Sequence, residues 1–140
     1  MTRLIAILAA AVLLVAPFER ASAQSAEETA AIETTILSQI AAMQEDDWAL
    51  AFTFASPTIQ GIFQSPENFS RMVTSGYPMV WRPKSFRPGA ILSTPQGYVK
   101  TMFFVDQQDR LFIADYLMQL VAGEWRINGV QIRPAPQQNV

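Results

Sequence analysis

At residue 76 the chain changes its rule for placing apolar side chains, and that switch constrains the fold more than any other feature. Before it, apolar residues return every three or four positions, the repeat of a helix with one buried face. Ile32, Ile36, Ile40 and Met43 keep this spacing between Ala26 and about Glu45, and Glu27 and Glu28 occupy a first turn where the helix dipole favours negative charge. In EDDWALAFTFASP, residues 45–57, Asp46 or Asp47 is placed to cap a second helix. Its Trp48, Ala51, Phe52 and Ala55 share one face until Pro57 stops it. In QSPENFSRMVTSGY, residues 64–77, Ser65 is a cap and Pro66 suits the first helical position of a third helix. Gly76 is expected to end that helix in the left-handed conformation.

Beyond residue 76 four segments are rich in β-branched and aromatic residues: 86–94, 97–106, 110–123 and 124–133. Pro95-Gln96-Gly97, the run 106–109 and Gly123 separate them, and connections this short join antiparallel neighbours. Helices first and strands after predict an α+β domain, with three N-terminal helices packed on a curved four-stranded antiparallel sheet. In the third strand, alternation places Phe112, Ala114, Tyr116, Met118 and Leu120 toward the helices. Leu111, Ile113, Asp115, Leu117, Gln119 and Val121 point the other way, and a sheet this apolar on both faces needs a second cover such as a partner subunit.

The first 23 residues are set aside from the fold. Arg3, the apolar run Leu4 to Val15 and Ala21-Ser22-Ala23 read as a secretory signal peptide cleaved after Ala23. The run is about twelve residues, short of the roughly 18 that a membrane span requires. Residues 24–140 are then one domain, long enough to bury a core of its own. Losing Arg3, Arg20 and Glu19 leaves eight basic and eleven acidic side chains, which argues against a nucleic-acid partner. The chain has neither cysteine nor histidine. Thiol chemistry and thiolate metal sites are therefore excluded, and the usual acid–base group and metal ligand is missing. No cofactor or metal site is expected, and the matured chain is expected in the periplasm or secreted.

Three prolines at a five-residue spacing, Pro78, Pro83 and Pro88, mark the strip GYPMVWRPKSFRPG, residues 76–89. Fixed φ angles suggest an extended edge connection in which Tyr77, Trp81 and Phe86 pack inward and Arg82, Lys84 and Arg87 guard the edge. The functional alternative is an anion site, with the Arg82 fork offered to a carboxylate or phosphate beside an aromatic ring. Asp115 interrupts an apolar strand. In an enzyme it would act as acid or base, with Tyr77, Tyr98 or Tyr116 donating to an oxyanion. Otherwise it is paired to Lys100 or Arg126 across neighbouring strands. Glu45-Asp46-Asp47 lacks the alternate ligand spacing and glycine of a calcium loop and reads as helix capping.

The order of elements and the closing Trp125-Arg126-Ile127-Asn128-Gly129 resemble the nuclear transport factor 2-like (cystatin-like) superfamily. More closely, the run from Ala51 to Pro83, with its Phe, Pro and Tyr spacing, resembles DUF4864, a family of short exported bacterial proteins. This resemblance implies a fold and a compartment but no chemistry. In the wider superfamily a bent sheet and helices enclose a cone used for catalysis, binding or pairing. The expectation is a non-enzymatic homodimer, joined through the sheet, that binds a small apolar or anionic ligand or a protein partner. The ligand-binding candidates are Tyr77, Arg82, Tyr98, Asp115 and Tyr116. The alternatives are a cofactor-free isomerase or lyase using Asp115, and a purely structural interaction module.

Overall fold

A computed structural model of the chain describes the backbone of residues 18–136 and the side chains of residues 26–136. The signal peptide expected over residues 1–23 lies outside these described side chains. The fold is α+β, with five helices among the described residues followed by a four-stranded antiparallel open sheet. The helices are α1 (Phe18–Gln44), α2 (Trp48–Thr53), α3 (Pro57–Phe63), α4 (Pro66–Gly76) and α5 (Pro78–Trp81). The strands β1 (Ser85–Thr94), β2 (Gly97–Val105), β3 (Leu111–Val121) and β4 (Glu124–Pro134) lie in sequence order.

Two helices exceed the three expected, and each begins at a proline read as a stop or as extended chain. Pro57 starts α3, because Ser56 precedes it and its hydroxyl accepts from Ile59 N at 3.2 Å. Pro78 starts α5, so the 76–89 strip is helical in its first part and extended only from Ser85. The other caps match the reading: Asp47 accepts from Leu50 N and Ser65 from Asn68 N, both at 3.1 Å. Gly76 does not adopt positive φ. Instead α4 ends as Tyr77, kept out of the helical region by the proline that follows it, turns to φ −132° and ψ 46°.

The fully buried stripe Ile32, Ile36, Ile40 and Met43 of α1 belongs to one core with Met102 and Phe104 of β2 and Tyr116 and Met118 of β3. Burying each such side chain contributes about 1.5–3 kcal/mol, so this stripe is a main anchor of helices to sheet. Around α4, Phe69 meets the rings of Trp48, Phe52 and Phe63 with centroids 5.5–6.2 Å apart. This ring cluster ties α2, α3 and α4 into one cover.

The sheet carries two register shifts. One lies in β1 between Pro88 and Ile91, and the other is in β4, where Leu117 opposes Gly129 but Met118 opposes Ile127. An extra residue on one strand bends and twists it locally. In β4 that residue is Asn128, whose Oδ1 accepts from the Ser56 hydroxyl at 2.7 Å. Beside it Ser56 N donates to Ile127 O and Ile127 N to Phe54 O, both at 2.8 Å. Residues 54–56 thus run along the free edge of β4 and set α3 against the sheet.

Candidate functional site

Because α3 is seated there, an apolar pocket of about 290 Å³ forms between α1, α3, α4, α5 and the β3–β4 half of the sheet. Ile59 and Phe63 reach it from α3, Met72 and Val73 from α4, and Ile127 and Val130 from β4. Among the described residues no lining side chain is charged, and the polar ones are Gln39, Tyr77 and Tyr116. Gln39 is buried and donates Nε2 to Ala51 O at 3.1 Å, which pins α1 to α2. Tyr116 is wholly buried, and its hydroxyl has no hydrogen-bond partner among the described residues. Burial pushes this phenol far above its ordinary range, so it stays protonated at any physiological pH. A buried polar group without a partner costs about 1–3 kcal/mol.

Of the five candidates, Tyr77 and Tyr116 line this pocket and the other three do not. Arg82 lies outside, 2.9 Å from Asp46 and with its guanidinium 4.6 Å from the Trp81 ring centroid. Asp46 also accepts from Trp81 Nε1 at 2.9 Å, so the carboxylate that this fork recognises is internal. Tyr98 faces the helices nearer the start of α1. Its hydroxyl donates to Glu28 at 2.8 Å, and that hydrogen bond, with the negative charge behind it, raises the phenol's pKa.

Asp115 stands on the sheet face opposite Tyr116. Its partners are Arg133 Nε at 2.8 Å and the Thr101 hydroxyl at 3.0 Å, and not Lys100 or Arg126. Ladder parity explains the difference: Lys100 opposes Tyr116, which puts it on the helix side, and Arg126 opposes Gln119, four residues along β3. The Arg133 hydrogen bond, outweighing burial and aided by Thr101, holds the Asp115 carboxyl below the usual carboxylate range. Lys100 is itself buried on the helix side, donating to Glu33 at 2.6 Å and to Gly89 O at 2.8 Å.

The sequence reading ends a helix at Pro57 and so lacks the α3 contribution to the pocket, Ile59 and Phe63. The signal was present: Ser56-Pro57 repeats the cap-and-proline signature of Ser65-Pro66 nine residues earlier. Among the described residues, no cluster of acidic, histidine or cysteine side chains could hold a metal ion, and no helix is long and apolar enough to cross a membrane. Comparison with known proteins finds no matching curated protein and no matching solved structure. One family model, a domain of unknown function (DUF4864), matches residues 25–140, which takes in the helices-then-sheet unit described above apart from the first residues of α1. The chain therefore belongs to the DUF4864 family.

Proposed function

We propose that this protein is an exported binding domain of the nuclear transport factor 2-like cone type, which holds a small apolar molecule between its helices and sheet without transforming it. The carrying observation is the 290 Å³ pocket with no charged residue in its lining. Apolar walls with a few polar groups are the usual build of a small-molecule site. An anionic ligand would enter without a cation to offset its desolvation, so the apolar class is favoured. The isomerase or lyase alternative draws no support from Asp115, which is on the opposite face and ion-paired to Arg133. Export rests on the leader features of residues 1–23, with the periplasm or the medium as destination.

A second reading, pairing of two copies through the sheet, rests on the face turned away from the helices. Leu92 there is 60% exposed and Leu111 41%, with Val99, Phe103 and Leu117 only half-buried. The test is to express the full chain and recover the exported product. Native mass spectrometry would then read its N-terminus, its oligomer mass and any retained molecule. Titration with the neutral fluorophore 1-naphthylamine should show one saturable site per chain, abolished by Ile59→Trp at the pocket wall. Absence of saturable binding to the wild type refutes the pocket reading.

A further inference from the structure

We propose that the occupant of the pocket is a neutral molecule whose one carbonyl-type oxygen accepts a hydrogen bond from the Tyr116 hydroxyl. This rests on the reading of the pocket as a small-molecule site. Tyr116 lines the pocket, is fully buried, and carries a buried side-chain polar atom without a partner among the described residues. Its cross-strand neighbours do not supply one. Lys100, directly opposite on β2, turns its ammonium to Glu33 and Gly89, and Val130, opposite on β4, has only an apolar side chain. Buried hydroxyls are almost always partnered, so an orphan carried by a residue that lines the cavity points to the ligand.

The chemistry of the missing partner follows from the surroundings. A protonated phenol is first a donor, so the ligand must bring an acceptor. The lining holds no cation, which excludes a carboxylate or phosphate as that acceptor. Size sets the rest: a cavity of about 150 Å³ takes benzene, so this one takes roughly twelve non-hydrogen atoms. A medium-chain ketone, aldehyde or ester fits these limits.

Three probes separate the possibilities: 2-nonanone, its isostere 2-methyl-1-nonene with a methylene in place of the oxygen, and nonanoate. With the full chain's purified product, the ketone should bind more tightly than nonanoate. The ketone-to-alkene affinity ratio should fall about five- to tenfold in Tyr116→Phe, the scale of one neutral hydrogen bond. The alkene should bind the variant at least as well as the wild type. Independently of any variant, the carbonyl stretch of bound ketone should shift to lower frequency than in an alkane solvent. If ketone and alkene both bind but the ratio and the stretch are unchanged, the hydrogen-bond assignment is wrong and the apolar site stands. Tighter binding of nonanoate overturns the neutral class. If no probe binds the wild type, the pocket reading itself fails.

Discussion

Removing Glu33 should harm this protein more than removing the lysine that it neutralises. Lys100 is the buried partner, its side chain 3% exposed, whereas Glu33 is 31% exposed and can regain water. Deleting one partner of a buried ion pair costs about 3–5 kcal/mol when the survivor is left uncompensated. In Glu33→Ala the ammonium keeps Gly89 O as an acceptor, which places the loss near the lower limit, about 3 kcal/mol. Lys100→Met fills the same space with an apolar chain and leaves Gly89 O without a donor, a cost of about 1 kcal/mol. The double variant has no charge left at this position and should resemble Lys100→Met, giving a coupling of about 3 kcal/mol. At about 4 °C per kcal/mol for a domain of this size, Tm should fall by about 12 °C in Glu33→Ala and about 4 °C in Lys100→Met. Urea and thermal unfolding of the three variants measure this. Equal losses in the two single variants, or a double variant worse than Glu33→Ala, would refute the reasoning.

Two further outcomes follow from single residues. Arg133 keeps the Asp115 carboxyl below its ordinary range, so this pair's stabilisation is present above about pH 4, the unfolded carboxylate value, and is lost as pH falls through the lower folded one. Arg133→Gln should therefore lose less stability between pH 5 and pH 2 than the wild type, read as the change in urea midpoint; an equal change removes this pair from the acid response. In the β3–β4 turn, Ala122 has φ 49° and Gly123 φ 81°, the left-handed pair of a two-residue hairpin loop. Ala122→Asn should raise stability by about 0.5–1 kcal/mol, because alanine is strained there by about 1–2 kcal/mol and asparagine less. A lower Tm in that variant would contradict the strain assignment.

Much of the architecture was readable along the chain. The α1 stripe, the Asp47 and Ser65 caps and the inward Ala114, Tyr116 and Met118 of β3 all rest on neighbours within a few positions, where periodicity and capping chemistry act, whereas Leu120, expected inward, is 56% exposed near the strand's end. The prolines were less transparent. A proline permits both a helix start and an extended turn, and at Pro57 and Pro78 the first was realised. Of the pocket, the sequence reading names Tyr116 and Tyr77, but the walls supplied by Ile59 and Phe63 belong to a helix that it replaces with a stop at Pro57.

What the sequence determined by itself is the order and type of most elements, the parity within β3, and the absence of thiol and imidazole chemistry, since these depend on local spacing and residue identity alone. Parity already separated Asp115 from Tyr116, because adjacent strand residues cannot share a face. Only the tertiary structure decided that Arg133 serves Asp115, that Lys100 is buried against Glu33, and that the Tyr116 hydroxyl lacks a partner among the described residues. Each of these depends on strand register, on an extra residue in β1 or β4, or on a contact spanning dozens of positions, none of which a periodic pattern encodes.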